Sequence, residues 1–172
     1  MEAGADAILV ETMNTIREAT AAVRAARECG APVLASFVCR DGARLLSGEP
    51  LDEAVDAVAG LGPLAVGVNC LPPGAVPPCL GALQCSGLPF LVYANLIGPG
   101  EERSPQQYAR CAAEWIRAGA RIVGGCCGTR PDHIRALSGV ADAKCVTGHI
   151  SSARELPQPQ EAGGDDPTKS RS

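Results

Sequence analysis

Short apolar segments alternate with longer segments of helical spacing along most of this chain. Five apolar runs are typical of β-strands, and they lie at residues 7–10, 33–38, 64–68, 89–93 and 121–124. Helices are predicted between them, and the clearest helix start is Ser104-Pro105-Gln106-Gln107, which combines an N-cap, a proline and a capping-box glutamine. Strands that are apolar throughout and separated by helices indicate a parallel sheet covered by helices.

Five such strands fit two α/β architectures, a doubly wound sheet or part of an eight-stranded (β/α) barrel. A dinucleotide-binding sheet would have a Gly-x-Gly-x-x-Gly turn after its first strand, and Glu11-Thr12-Met13-Asn14 does not match it. Polar or reactive residues instead follow four of the five strands, at Glu11-Thr12, Asn69-Cys70, Asn95 and Cys126-Cys127. Functional groups at several strand ends are typical of a barrel active site, so the pattern favours a partial barrel.

Charge and length narrow the classes of function. The net charge of −4 and the scattered Lys and Arg residues disfavour nucleic-acid binding. No apolar run reaches the roughly 20 residues that span a bilayer, and the acidic start does not resemble a signal peptide. We therefore expect a cytoplasmic protein that binds neither nucleic acid nor membrane.

Nine cysteines are an odd and high count for 172 residues. A disulfide framework is not expected in a cytoplasmic protein. Six of the cysteines stand alone in ordinary contexts and are interpreted as small apolar side chains: Cys29, Cys39, Cys79, Cys85, Cys111 and Cys145. The other three, Cys70, Cys126 and Cys127, lie where strands end, which makes them candidates for chemistry.

These three cysteines predict a zinc site. Zn²⁺ binds sulfur ligands tetrahedrally, and three protein ligands leave a fourth position open for a substrate. Cys126 and Cys127 are adjacent, and the glycines on both sides allow the backbone to turn both sulfurs toward one point. An open zinc position suits a thiol substrate, because metal binding lowers the thiol pKa and gives a nucleophilic thiolate. Such a transfer needs no general base on the protein. A redox-active pair and a purely structural zinc remain alternatives.

Two motifs carry a resemblance to a known family. Gly67-Val68-Asn69-Cys70 and Gly124-Gly125-Cys126-Cys127-Gly128-Thr129 resemble the two zinc motifs of the homocysteine S-methyltransferase family. Shorter matches accompany them, at Val10-Glu11-Thr12, Ser36-Phe37, Tyr93-Ala94-Asn95 and Pro131-Asp132-His133-Ile134. The resemblance covers residues 1–146 in register.

The resemblance implies a fold and a set of roles. The strands would be numbers four to eight of the barrel, so an N-terminal segment or a partner chain would have to supply the first three. Zn²⁺ would bind Cys70, Cys126 and Cys127. Glu11 would accept the amino group of homocysteine, while Asn69 and Asn95 would position substrate or neighbouring groups, with Thr12 and Ser36 as further candidates.

The implied reaction moves a methyl group from a donor to the thiolate of homocysteine and gives methionine. The alternative is a truncated, catalytically silent fragment that binds zinc and associates with another chain. Residues 1–146 are the expected domain, and residues 147–172, rich in Pro, Gly and charge, are predicted to be a disordered tail.

Five residues have simpler interpretations as well. Glu11 could be a solvated carboxylate, and Asn95 could form a turn. His133 is expected on the surface of a first helical turn. Tyr108 and Trp115 lie seven residues apart on one helix and are expected to pack in the core.

Overall fold

The computed structural model describes residues 4–40, 42–98, 100–101 and 103–142. The strands among them are β1 Ile8–Met13, β2 Val33–Phe37, β3 Cys39–Arg40, β4 Arg44–Leu45, β5 Ala65–Asn69, β6 Phe90–Ala94 and β7 Ile122–Gly125. The helices are α1 Ile16–Glu28, α2 Leu51–Ala59, α3 Pro77–Cys85, α4 Pro105–Arg117 and α5 Pro131–Asp142, with a single 3₁₀ turn at Pro73–Ala75. All five predicted strands are present.

One parallel sheet forms the centre of the fold, with the strand order β1-β2-β5-β6-β7. Its pairs are all parallel, so the carboxyl ends of the strands meet at one edge. β5 is buried at every residue, whereas the outer strands β1 and β7 are more exposed. Within the described residues the sheet is open, because β1 and β7 each pair on one side only. The α/β fold and the parallel sheet are confirmed, and the described strands form no closed barrel.

The sequence did not predict the small antiparallel pair of β3 and β4. Each strand has two residues, which is too short for an alternating pattern to be detected. β1 also extends three residues beyond its predicted end. Its register with β2 shifts between Val10 and Met13, where Thr12 has a φ of 61°.

Side-chain caps mark the start of two of the helices, α1 and α4. The Ser104 side chain accepts the backbone N–H of Gln107, and the Gln107 side chain accepts the N–H of Ser104, so the predicted capping box is present. The Thr15 side chain caps α1 by accepting the N–H of Glu18. None of the described helices is long and apolar enough to cross a membrane.

Tyr108 and Trp115 are buried on α4, as predicted, and their rings meet edge to face with centroids 5.8 Å apart. The prediction for His133 is wrong, because this side chain is only 7% exposed. Its ring packs against Tyr108, Nδ1 accepts the N–H of Arg130, and Nε2 lies 3.0 Å from the Arg103 carbonyl oxygen. These two polar contacts satisfy the imidazole without water, so the ring can be buried. The predicted tail at residues 147–172 lies outside the described residues.

Candidate metal centre and substrate-binding groups

Three sulfur atoms converge where β5 and β7 end. The Sγ atom of Cys127 lies 3.9 Å from that of Cys70 and 3.8 Å from that of Cys126. All three sulfurs lie within 4.8 Å of one another. Only β6 separates β5 from β7 in the sheet, so Cys70 and Cys127, which are 57 residues apart in sequence, lie close together.

These separations can be compared with zinc geometry. Ligands about 2.3 Å from a tetrahedral Zn²⁺ lie about 3.8 Å from one another, which is close to the two measured sulfur distances. The eight cysteines within the described residues are all free thiols, so Cys126 and Cys127 form no disulfide here. Two of the three separations match this geometry and the third lies within 4.8 Å, so the cluster could hold a metal ion with one further position open.

Cys70 has a backbone conformation that side chains rarely adopt, with a φ of 57°. Its N–H donates to the carbonyl of Tyr93 at 3.2 Å, and its carbonyl accepts the side-chain amide of Asn95 at 2.9 Å. The other end of that amide accepts the N–H of Ile97 at 3.3 Å. Asn95 is therefore both a turn former and a support for Cys70, with its two ends bound to the protein.

The double-cysteine turn is fixed by β6 and by Thr129. Cys126 donates its N–H to the Ala94 carbonyl at 3.1 Å, and the Cys127 carbonyl accepts the N–H of Leu96 at 2.8 Å. Thr129 donates both its N–H and its hydroxyl to the Cys126 carbonyl, at 3.1 and 2.7 Å. Burial raises the pKa of the Cys126 thiol to about 11. In the metal-free chain this sulfur holds its proton at neutral pH, so a metal must displace it.

Two glycines make this turn possible. Gly128 has a φ of +81°, and a Cβ atom there would lie 2.9 Å from the Leu96 carbonyl oxygen. A Cβ atom at Gly125 would lie 2.3 Å from the Thr129 hydroxyl. Both distances are shorter than any normal contact, so the close approach of this turn to β6 and to Thr129 requires glycine.

Asn69 is fully buried at the end of β5 and organises a second group of side chains. Its Oδ1 accepts the Thr12 N–H at 3.1 Å and the Ser36 hydroxyl at 2.8 Å. Its Nδ2 donates to the Thr12 hydroxyl at 2.7 Å. Thr12 has a left-handed backbone, so Asn69 holds a strained residue in place.

Glu11 is exposed at the same edge of the sheet, and its Oε2 accepts the Tyr93 hydroxyl at 3.1 Å. The Tyr93 oxygen also lies 2.6 Å from the Ser36 hydroxyl. Hydrogen bonds thus connect Glu11, Tyr93, Ser36, Asn69 and Thr12, and Asn69 directly precedes Cys70. The structure thus brings four of the predicted residues together: Glu11, Thr12, Ser36 and Asn69.

The sequence pattern did not predict the hydrogen bonds of two tyrosine hydroxyls, those of Tyr93 and Tyr108. Tyr93 was part of a recognised motif, but a tyrosine inside a strand is more often interpreted as packing. Its partial burial raises the pKa of its hydroxyl, so the group stays protonated. The Tyr108 hydroxyl lies 2.8 Å from the Ala94 carbonyl oxygen and 2.9 Å from that of Gly124. It therefore joins the ends of β6 and β7 behind the cysteine turn.

Comparison with known proteins supplies the family. The profile of the homocysteine S-methyltransferase family matches residues 1–141. Homocysteine S-methyltransferase 3 of Zea mays is 33% identical over 160 residues, covering 84% of this chain and 47% of the maize protein. Homocysteine S-methyltransferase YbgG of Bacillus subtilis is 32% identical over 155 residues, with 80% and 47% covered.

Solved structures of homocysteine methyltransferases are also similar to this chain. The apo form of the homocysteine methyltransferase MmuM from Escherichia coli superimposes with a TM-score of 0.70 at 34% identity, covering 81% of this chain and 51% of MmuM. Its metallated form gives the same TM-score at 33% identity. The chain spans about half the length of these relatives. A family profile that matches most of the chain, and relatives above 30% identity, show that this chain belongs to the homocysteine S-methyltransferase family.

Proposed function

We propose that this chain carries the zinc-binding and homocysteine-binding half of a methyltransferase that converts homocysteine to methionine. The observation that supports this most directly is the convergence of three free thiols at separations that fit a tetrahedral zinc ion. A set of three sulfurs with one position open matches the chemistry that a thiol substrate requires.

Cys70, Cys126 and Cys127 would hold the Zn²⁺ in this proposal. When bound, zinc supplies an open position at which a substrate thiol loses its proton near neutral pH and becomes nucleophilic. The protein's own contribution is to position the substrate relative to that sulfur. The Glu11 carboxylate is exposed and anionic, so it would bind the ammonium group of homocysteine.

Asn69 and Asn95 would act mainly by positioning neighbouring groups in this proposal. Asn69 is fully buried and bonds Thr12 and Ser36, and Asn95 supports the Cys70 carbonyl. Both therefore stabilise the backbone on which the ligands lie, and a direct contact with substrate remains a prediction for either of them.

We further propose that β1, β2, β5, β6 and β7 correspond to strands four to eight of an eight-stranded barrel, and that residues 1–146 belong to that domain. The parallel order of the sheet and its likeness to MmuM over 51% of that chain support this. The remaining strands would come from a segment preceding this sequence or from a partner chain. A cytoplasmic location suits the three thiols, because a reducing compartment keeps them free.

A second candidate function is a catalytically silent zinc-binding fragment. The observation that favours it is the open sheet, since β1 and β7 lie at unpaired edges within the described residues. Both candidates bind zinc, so zinc content does not distinguish them, whereas turnover does.

The test is an assay of the zinc-loaded chain with homocysteine and a panel of methyl donors, with methionine detected by mass spectrometry. The panel contains S-methylmethionine, betaine and a methyl-folate. Cys126→Ala should remove the activity, and Cys29→Ala, which changes an exposed thiol outside the cluster, should retain it. Methionine formed equally by both variants would refute the proposed site. Zinc binding without methionine from any donor would favour the silent fragment.

A further inference from the structure

Tyr93 lies between the carboxylate proposed to bind substrate and the buried residues beneath the cysteine cluster. On β6 it pairs in register with Asn69 of β5 and with Gly124 of β7. Its carbonyl accepts the N–H of Cys70, so its backbone contacts a proposed metal ligand directly. Its hydroxyl contacts Glu11 at 3.1 Å and Ser36 at 2.6 Å. One residue thus contacts both halves of the site.

Glu11 has no comparable support elsewhere among the described contacts. It lies on the edge strand β1 and is exposed, and the Tyr93 hydroxyl is the one side-chain donor that reaches its carboxylate in the part of the chain described. An unsupported glutamate side chain would sample several rotamers, and fixing one of them on binding costs free energy. A support present before the substrate arrives reduces that cost.

The number of hydroxyl protons limits which contacts between Asn69 and Glu11 can be hydrogen bonds. Three contacts connect Asn69 Oδ1, the Ser36 hydroxyl, the Tyr93 hydroxyl and Glu11 Oε2, but the two hydroxyls carry only two protons. Ser36 donates to Asn69 Oδ1, and Tyr93 donates to Glu11, because an ionised carboxylate favours donation toward itself. Asn69 Oδ1 then accepts both the Ser36 hydroxyl and the N–H of Thr12.

We propose that Tyr93 is a positioning residue that holds the Glu11 carboxylate at a set place relative to the three sulfurs, and so makes the site selective for thiols that carry an amino group. This inference rests on the proposed function, because it assigns Glu11 to the ammonium group of homocysteine. Tyr93 acts through Glu11 in this arrangement. Its loss should therefore weaken the binding of a thiol that has the amino group and leave a thiol without it unaffected.

The experiment measures the affinity of the zinc-loaded chain for two ligands by isothermal titration calorimetry. Homocysteine is compared with γ-mercaptobutyrate, which has the same thiol and carboxylate and lacks the amino group. Tyr93→Phe keeps the ring and removes the hydroxyl that donates to Glu11. Losing a hydrogen bond to a partly exposed charged group should weaken homocysteine binding about five- to tenfold. The affinity for γ-mercaptobutyrate should be unchanged.

Three further variants complete the design. Glu11→Gln should remove the preference for homocysteine. Ser36→Ala should have a smaller effect than Tyr93→Phe, because Tyr93 can still donate its own proton to Glu11. Ser138→Ala removes an exposed hydroxyl on α5 and should change neither affinity. Zinc content is measured for each variant, so that a misfolded protein is recognised.

The possible results distinguish a failure of this inference from a failure of the proposed function. A selective loss for homocysteine in Tyr93→Phe, with zinc content retained, supports the inference. Equal weakening of both ligands, an unchanged preference, or a larger effect of Ser36→Ala would overturn it while leaving the proposed function intact. A wild-type chain that binds zinc but neither ligand would overturn the proposed function and this inference with it.

Discussion

Replacing Asn69 by alanine removes the side chain on which Thr12 and Ser36 depend. Asn69 is 0% exposed, and its Oδ1 accepts the Thr12 N–H and the Ser36 hydroxyl, while its Nδ2 donates to the Thr12 hydroxyl. In Asn69→Ala the Thr12 N–H and the Ser36 hydroxyl both lose this acceptor.

The expected loss in the free energy of unfolding follows from those two donors. A buried donor left without an acceptor costs about 1–3 kcal/mol. The Thr12 N–H cannot turn to another partner, but it is only partly buried, so its cost is about 1–2 kcal/mol. Ser36 can turn its hydroxyl toward Tyr93, 2.6 Å away, and also takes the lower part of that range. The free energy of unfolding should therefore fall by about 2–4 kcal/mol, and the lost packing volume adds to this.

Urea unfolding of the reduced, zinc-free chain measures the change, with the fluorescence of the single tryptophan, Trp115, as the probe. The matched control is Asn14→Ala, which also loses a bond to Thr12, from Nδ2 to its carbonyl, but at a less buried position. That variant should lose less than about 1 kcal/mol. A loss in Asn69→Ala no larger than in Asn14→Ala would refute the reasoning that Asn69 holds this strained turn.

Three other variants test the site and its supports. Cys70→Ala should weaken zinc binding more than about a hundredfold, which exceeds the loss typical of a residue that only supports a metal ligand. Competition with a chelator measures the affinity, and Cys29→Ala should bind zinc as the wild type does. Equal affinities of the two variants would exclude Cys70 as a ligand. Gly128→Ala should lower the free energy of unfolding by about 1–3 kcal/mol, because its Cβ would meet the Leu96 carbonyl oxygen in a left-handed backbone; an unchanged melting temperature would contradict this. His133→Phe keeps a ring in the core and removes two polar contacts, so urea unfolding should show a loss of about 1–3 kcal/mol, and no loss would mean that those contacts do not stabilise the fold.

Much of the fold could be predicted from local patterns. The five strands of the main sheet, the capping box of α4 and the burial of Tyr108 and Trp115 were all predicted correctly. Such features depend on residues within a turn or two of one another, where periodicity and capping chemistry carry information. The β3–β4 pair has no such period, and the burial of His133 depends on a carbonyl 30 residues away.

The sequence by itself determined which residues are the candidates for the chemistry. The double cysteine between glycines, the distant Asn-Cys pair and the polar residues at strand ends were sufficient to place the chain in its family and to select the three sulfurs. Only the tertiary structure decided how these groups meet. The Tyr93 hydroxyl reaches Glu11 across 82 residues of sequence, and Asn69 reaches Thr12 across 57. Such contacts depend on strand order and register, which a local pattern does not encode. The sulfur separations and the support of Glu11 by Tyr93 could therefore be seen only in the folded chain.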